Sequence, residues 1–292
     1  MHTTLRKRKA CLLISVILWF VMLTVSLILN AWIVSGILIG LFLYMFQVYL
    51  LLQQSRRISS LRKQITDHAR NTYIKSDLDF SQIESLLGLY NTLNPKLILP
   101  STRGWAASPD FLALICNWIF KLQHKSRDIH ILEASSGVSS VVIGYCLAKK
   151  GRGNLTSLEN DESYMKKTRQ MILDHALEGY VDVVHAPLVT HELKDQRMRW
   201  YNLENLKKSH SFDLVVVDGP PVTEGKYARF PCLPLIYNFL HNDAVILLDD
   251  ADRQSERLIV DEWLKLYPEW SCQFVELEKG AAILSRSGYK VD

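Results

Sequence analysis

Two acidic residues are spaced as a single strand–helix–strand unit would place them. Glu133 ends a short apolar run, and Glu159 ends a second predicted strand, 155–158, about 26 residues later. In an open parallel sheet, the acidic residue that ends the second strand accepts hydrogen bonds from the two hydroxyls of a ribose. The spacing therefore predicts a βαβ unit that binds a nucleotide-like ligand.

The segment after Glu133 is rich in small residues. Residues 134–140 read Ala-Ser-Ser-Gly-Val-Ser-Ser, and a helix is predicted to begin at about Ser139. Small side chains let a backbone turn sharply and let a ligand approach the start of the following helix. The candidate ligand-binding residues of this unit are Glu133, Ser135, Ser136, Gly137, Ser139, Glu159 and Asn160.

Two later apolar runs end in aspartates. Asp218 follows 214–217, and Asp249 and Asp250 follow 244–248. Continuous apolar runs of this length are typical of parallel strands buried on both faces, and such strands present their carboxyl ends at one edge of the sheet. The sequence therefore predicts that Asp218 and Asp250 lie close together, although aspartates are also common in solvated loops.

The order of these elements resembles the class I S-adenosylmethionine-dependent methyltransferases, in particular a bacterial branch similar to sugar and small-molecule O-methyltransferases. That family has an acidic residue and then Gly-x-Gly-x-Gly at the first turn, where this chain has Glu133-Ala134-Ser135-Ser136-Gly137-Val138-Ser139. The resemblance covers roughly residue 100 to the end, including two predicted final strands, 270–277 and 281–285. It implies an α/β, Rossmann-like seven-stranded sheet with an antiparallel terminal strand, and S-adenosylmethionine bound by the residues of the first unit together with Asp218.

The resemblance also bears on catalysis. In the related catechol-type enzymes, acidic residues at the ends of the fourth and fifth strands hold Mg²⁺, and Asp218 and Asp250 match those positions. The third ligand there is an Asn, where this chain has Ala251, so Asp249 or Asp252 would have to replace it. The resemblance therefore implies Asp218 and Asp250 as catalytic residues and leaves Mg²⁺ as an open possibility.

Other residues could shape the acceptor site. The segment 223–231 is predicted to be a lid whose Tyr227 and Arg229 orient the acceptor, or whose Arg229 pairs with the acidic cluster. Before the first strand, Trp105 and Ser108 are predicted either to line the cofactor site or, for Trp105, to pack in the core. His191 is predicted to be a surface residue in a polar connection, and His210 likewise.

The amino-terminal end has the composition of a membrane anchor. No charged residue occurs between Ala10 and Ser55, and as one helix the apolar run would be about 65 Å long, roughly twice the thickness of a bilayer core. We therefore expect two spans, 11–29 and 31–52, that turn at Asn30. Basic residues at 6–9 and 56–63 flank the spans, which predicts that both ends, and with them the catalytic domain, lie on the cytoplasmic side of the inner membrane.

The predicted domains are a transmembrane hairpin (1–54), a juxtamembrane linker with helices (55–98, including a helix that begins at the capping box 81–84) and the catalytic domain (99–292). Residues 76–292 carry 24 of the 34 basic and 29 of the 30 acidic residues, which disfavours nucleic acid as a partner. The expected partners are the lipid bilayer, the acceptor, and either a membrane protein or a second copy packed against Gly36 and Gly40. The five cysteines have no metal-site or disulfide spacing.

The functional hypothesis is a membrane-anchored methyltransferase that O-methylates a glycan or lipid-linked saccharide. The serine-rich turn leaves open a catalytically silent scaffold with the same fold in a membrane biosynthetic complex. An NAD-dependent oxidoreductase is disfavoured because the turn lacks G-x-G-x-x-G.

Overall fold

The chain divides into two compact units, Met1–Lys75 and Ser76–Asp292. A computed structural model describes residues 2–29, 32–122, 127–193, 196–204, 206 and 211–286. The boundaries of the three predicted domains stay a prediction, since the two compact units give only the one division after Lys75.

The amino-terminal unit is helical. Helix α1 spans His2–Leu29 and helix α2 spans Trp32–Leu93. Among the described residues, Ser35–Ala69 is long and apolar enough to cross a membrane by length and composition, and Leu13–Val25 is a shorter apolar stretch. The predicted turn at Asn30 lies outside the described residues, so the hairpin of two spans stays a prediction.

Helix α2 differs from its prediction in the region of the capping box. Residue 81 lies inside the helix and does not begin a new one, because no proline occurs between 32 and 93 to end α2 earlier. Gln82 serves a tertiary contact instead. Its Nε2 donates to Oδ2 of Asp110 at 2.8 Å, and its Oε1 accepts from the backbone N–H of Asp110 at 3.2 Å.

The second unit alternates strands and helices as the sequence predicts. Its helices are α3 (Pro109–Lys121), α4 (Val138–Lys150), α5 (Glu162–Asp174), α6 (Cys232–Ile236) and α7 (Gln254–Leu266). Its strands are β1 (His130–Ala134), β2 (Asn154–Glu159), β3 (Val181–His185), β4 (Leu188–Leu193), β5 (Gln196–Tyr201), β6 (Phe212–Val217), β7 (Leu240–Asp249), β8 (Trp270–Val275) and β9 (Ala281–Arg286).

Seven of these strands form one sheet in the order β3-β2-β1-β6-β7-β9-β8. The pairs from β3 to β7 are parallel, whereas β9 is antiparallel to both of its neighbours. The predicted seven-stranded sheet with an antiparallel terminal strand is thus confirmed. The last strand of the chain does not form the edge but lies between β7 and β8.

Strands β4 and β5 form a separate two-stranded antiparallel hairpin that the sequence analysis missed. The hairpin is anchored by its last two residues, Trp200 and Tyr201, which are 1% and 0% exposed. Their neighbours are mostly polar and partly exposed, so the segment resembles a loop in sequence. His191 is half-buried on β4, and His210 lies outside the described residues.

The sheet is covered on both faces, which explains its continuous apolar strands. In β6, Leu214 and Val216 face the cluster that includes α3 and α4, while Val215 and Val217 face the cluster that includes α6 and α7. Every residue of β6 is buried. Because β1, β2, β6 and β7 are parallel, their acidic carboxyl ends meet at one edge of the sheet.

Candidate active site

Glu133 is a buried residue of β1 that lies directly before the first turn. It is 0% exposed, and its Oε2 accepts hydrogen bonds from Oγ of Ser140 at 2.5 Å and Oγ of Ser157 at 2.6 Å. Burial raises the pKa of Glu133 to about 7. Its other oxygen, Oε1, is buried without a hydrogen-bond partner within the described part of the chain. Neither serine was a sequence candidate, because their contacts with Glu133 arise only when β1, β2 and α4 pack together.

Glu159 lies at the end of β2, directly against the first turn. Its Oε2 accepts from the backbone N–H of Ser136 at 3.1 Å and from the Ser136 hydroxyl at 2.9 Å, and its Oε1 accepts from the N–H of Asp161 at 3.0 Å. An ionised carboxylate has about four acceptor sites, so these three bonds leave capacity for a ligand hydroxyl. The residues of the first turn and Glu159 therefore meet as predicted.

The serine-rich turn keeps a conformation that usually calls for glycine. Ser135 has φ of +87°, in the left-handed region, although it has a side chain. Ser135, Ser136 and Gly137 are half-buried, whereas Ser139 is buried in the first turn of α4. Asn160 is half-buried immediately after β2. Ser135, Ser136 and Gly137 therefore line the turn, whereas Ser139 packs beneath it.

The end of β6 meets the same turn. The backbone N–H of Asp218 donates to the carbonyl oxygen of Ala134 at 3.1 Å. A Cβ atom at Gly219 would lie 2.4 Å from Oη of Tyr201 and 2.8 Å from Cβ of Ser135. Asp218 is thus adjacent to the predicted nucleotide turn, and Tyr201 of the unpredicted hairpin forms part of this edge.

Three aspartates cluster beside the turn. Asp218, Asp249 and Asp250 each place one carboxylate oxygen within 4.8 Å of those of the other two. Burial raises the pKa of Asp218 to about 6 and holds the pKa of Asp249 well above its usual range. Oδ2 of Asp249 is buried with no hydrogen-bond partner among the residues that the structure describes. The prediction that Asp218 and Asp250 come together is confirmed by this geometry.

Arg229 pairs with this cluster, which was one of the two predicted alternatives. Its Nη2 lies 2.8 Å from Oδ2 of Asp250 and 3.3 Å from Oδ1 of Asp218. The residue is 3% exposed, so its guanidinium lies beneath the surface. The exposed part of the predicted lid is 223–226, and Tyr227 is half-buried beside it.

The other predicted metal ligands do not complete an open site. Oδ2 of Asp250 accepts from Nη1 of Arg253 at 2.8 Å in addition to Arg229. Ala251 is buried and apolar, while Asp252 is exposed and pairs with Arg257 at 3.1 Å. Asp218 and Asp250, the two carboxylates that Mg²⁺ would have to bridge, are engaged by guanidinium groups, so the residues present do not fit a bound divalent cation.

Trp105 and Ser108 have different environments. Trp105 is 85% exposed, so the prediction that it packs in the core is wrong, whereas Ser108 is 0% exposed at the start of α3. The loop around Trp105 is held from its backbone, because Nζ of Lys279 donates to the carbonyl oxygens of Gly104 and Ala106 at 2.9 and 3.0 Å. These bonds fix the chain and leave the indole ring free in solvent.

Residues 134–251 match a family model described as a methyltransferase domain. No curated protein matches the chain with significant sequence similarity. The match includes the first turn, β2 and the three aspartates, which are the elements described above.

Solved structures share the fold at low sequence identity. A human methyltransferase 10 domain containing protein is 14% identical, and the aligned region covers 74% of this chain and 98% of that one with a TM-score of 0.50. An O-methyltransferase from Bacillus cereus in complex with S-adenosylhomocysteine is 18% identical, with 71% and 91% covered and a TM-score of 0.45. A methyltransferase from Podospora anserina bound to S-adenosylhomocysteine is 14% identical, with 70% and 88% covered and a TM-score of 0.45.

Two features of the second unit are consistent with the matched methyltransferase segment. They are the order of the seven strands and the acidic residues at the ends of β1, β2, β6 and β7. Residues 134–251 match the model of a methyltransferase domain, and the unit around them shares the fold of the human methyltransferase 10 domain containing protein.

Proposed function

We propose that the protein is an S-adenosylmethionine-dependent O-methyltransferase. The observation that carries the proposal is the position of Glu159, which ends β2 against the Ser136 turn with acceptor capacity left for a ribose hydroxyl. When bound, S-adenosylmethionine supplies an electrophilic methyl group on a sulfonium centre. The chain's own residues then have to hold the acceptor and take its proton.

Asp218 is suited to take that proton. Its side chain is 18% exposed at the edge of the sheet, and its pKa of about 6 leaves it ionised near neutral pH. With S-adenosylmethionine bound, the Asp218 carboxylate would take the proton of the acceptor hydroxyl, and the sulfonium centre would give up its methyl group and keep the electron pair of the broken bond.

Calorimetry on residues 76–292, the compact second unit, tests cofactor binding. Replacement of Glu159 by Ala is expected to weaken binding of S-adenosylhomocysteine by about 2 kcal/mol, roughly 30-fold, because charge-assisted hydrogen bonds to ribose are lost. Glu162→Ala is the matched control, since Glu162 is an exposed carboxylate on α5 that pairs with Lys166. Absence of binding by the unchanged protein, or equal binding of NAD, would remove the proposal.

We further propose that the amino-terminal helices anchor the domain to the inner membrane and that the acceptor is a glycan or saccharide on a lipid carrier. The support is the apolar stretch Ser35–Ala69 together with the basic residues that flank the apolar run. Confinement to one membrane raises the effective concentration of an acceptor held there. Two spans with the catalytic domain in the cytoplasm would place it on the side where the cofactor is made.

Two measurements test this second proposal. Reporter fusions after Asn30 and at the carboxyl end should lie on opposite sides of the membrane, and a carboxyl end outside would contradict the topology. Radiolabelled methyl donor should label membrane fractions more with the full chain than with residues 76–292. Equal labelling, confined to small soluble products, would contradict a membrane-held acceptor.

A catalytically silent scaffold is the second candidate. The observation that favours it is that Glu159 already accepts three hydrogen bonds from its own chain, two of them from Ser136. The same calorimetry separates the two, because a silent scaffold that has lost the cofactor site would bind neither S-adenosylhomocysteine nor NAD.

A further inference from the structure

Arg229 sits at the centre of the acidic cluster and bonds to all three of its aspartates. Nη2 donates to the carboxylates of Asp218 and Asp250 and to the backbone carbonyl of Asp218, the last at 2.8 Å. Nη1 donates to the backbone carbonyl of Asp249 at 2.8 Å. A single buried cation therefore ties the end of β6 to the end of β7.

These are also the atoms that a divalent cation would use. Mg²⁺ and Ca²⁺ bind carboxylate and carbonyl oxygens at about 2.0–2.6 Å, and a cation bridging Asp218 and Asp250 would have to lie where Nη2 now lies. Two positive charges cannot share that position. Arg229 cannot easily leave it, because the residue is 3% exposed and its hydrogen bonds hold both strand ends.

We propose that Arg229 permanently takes the place of a divalent cation at the ends of β6 and β7, so that methyl transfer by this protein needs no metal. Only the part of this proposal that concerns methyl transfer rests on the proposed function. Arg229 acts as a positioning residue: its charge offsets the repulsion between the neighbouring carboxylates of Asp218 and Asp250, and it offers no open coordination position to an acceptor oxygen.

The geometry implies a latent metal site beneath the guanidinium. Asp218, Asp249 and Asp250 have carboxylate oxygens within 4.8 Å of one another around the guanidinium. Oδ2 of Asp249 is buried and has no partner in the described chain, so it is available as a ligand. A neutral side chain at 229 should therefore create a site for a hard divalent cation.

Mn²⁺ binding by the full chain in detergent, followed by electron paramagnetic resonance, tests this directly. The unchanged protein is expected to bind no Mn²⁺ tightly, whereas Arg229→Met gains one site per chain. Arg257→Met is the matched control, because it removes an exposed guanidinium from Asp252 and leaves the buried cluster intact. Adding Asp249→Asn to Arg229→Met should abolish the gained site. Arg229→Lys keeps a cation and should remain free of Mn²⁺.

The unchanged protein alone can overturn the proposal. A stoichiometric Mn²⁺ site that disappears in Asp218→Asn, or loss of methyl transfer in a chelator that Mg²⁺ restores, would show that Arg229 does not replace a metal. Neither of these two measurements uses Arg229→Met, so they test the proposal even if that variant does not fold. Because Mn²⁺ binding is measured without cofactor, its result is independent of whether S-adenosylmethionine binds.

Discussion

The backbone of Gly219 lies so close to the side chain of Tyr201 that a Cβ atom on Gly219 would stand 2.4 Å from the tyrosine oxygen. The same Cβ would stand 2.8 Å from Cβ of Ser135. Distances this short do not occur between real Cβ atoms and their neighbours, so any side chain here forces the surrounding turns apart. The turn of β6, the turn of β1 and the hairpin thus meet with no spare volume at the predicted cofactor edge.

Gly219→Ala is accordingly expected to lower the free energy of unfolding by about 1–3 kcal/mol, the usual cost of overpacking, and to weaken cofactor binding as well. Chemical denaturation and calorimetry measure the two effects. Gly88→Ala is the control, because nothing lies within 4 Å of its Cβ position in α2, and it should be neutral or slightly stabilising. A Gly219→Ala protein with unchanged stability would mean that the two turns and the hairpin are not in contact.

The burial of Glu133 gives stability a specific dependence on pH. Its pKa rises from 4.5 in the unfolded chain to about 7 in the folded protein, so the folded state binds this proton more tightly. The resulting stabilisation is fully present below about pH 4.5 and is lost as pH rises through 7, for a total of about 3 kcal/mol. Glu133→Gln should remove this slope, so the variant gains stability relative to the unchanged protein between pH 4.5 and 7.

Urea denaturation at a series of pH values measures that difference. The exposed acid Glu178, replaced by Gln, provides the control and should leave the pH dependence as it is. Parallel stability curves for the unchanged protein and Glu133→Gln would contradict a raised pKa at this site.

Methyl transfer should depend on the ionisation of Asp218. Because the base must be unprotonated and its pKa lies at about 6, the rate is expected to rise with pH through this value and then to level off. Asp218→Asn should lower kcat while the KM for the cofactor changes little. Initial rates on membrane fractions between pH 5 and about 8 measure the profile. A rate that stays constant across pH 6 would exclude Asp218 as the base.

Trp105 and Trp118 offer a paired test of the exposed aromatic ring. Trp105 is 85% exposed and Trp118 is 3% exposed. Trp105→Ala is expected to change the free energy of unfolding by less than about 0.5 kcal/mol, whereas Trp118→Ala should cost about 3–5 kcal/mol. A large loss of stability in Trp105→Ala would contradict the exposed position of the ring and favour the core position that the sequence predicted.

The features that the sequence predicted well are those fixed by local patterns. Uninterrupted apolar runs such as 214–217 and 244–248 are typical of buried strands, and each is followed by an acidic residue, so the sequence alone predicted the positions of Asp218 and Asp250. The prediction that Glu133 and Glu159 belong to one ligand site depended only on the length of one βαβ unit. The order of the strands along the chain then predicted which strand ends share an edge of the sheet.

The features that it missed depend on contacts between distant segments. Pairing of β4 with β5 is driven by burial of Trp200 and Tyr201, which polar neighbours conceal. Glu133 is bonded by Ser140 and Ser157, whose roles appear only when two strands and a helix pack together. Sequence left two alternatives for Arg229, and its burial between Asp218 and Asp250 decides between them.

Asp110, in α3, is hydrogen-bonded to the end of α2 and to Glu278 near the carboxyl end. These contacts determine where a stable fragment of the second unit can begin. Its Oδ2 accepts from Gln82 and also from the backbone N–H of Glu278 at 2.7 Å, while Arg103 bonds to both Asp79 and Glu278. A soluble fragment that began at residue 99 would lose Asp79 and Gln82, and with them one ion pair of Arg103 and both hydrogen bonds between Gln82 and Asp110. The last turns of α2 therefore belong to the second unit, and a fragment for crystallisation should begin near Ser76.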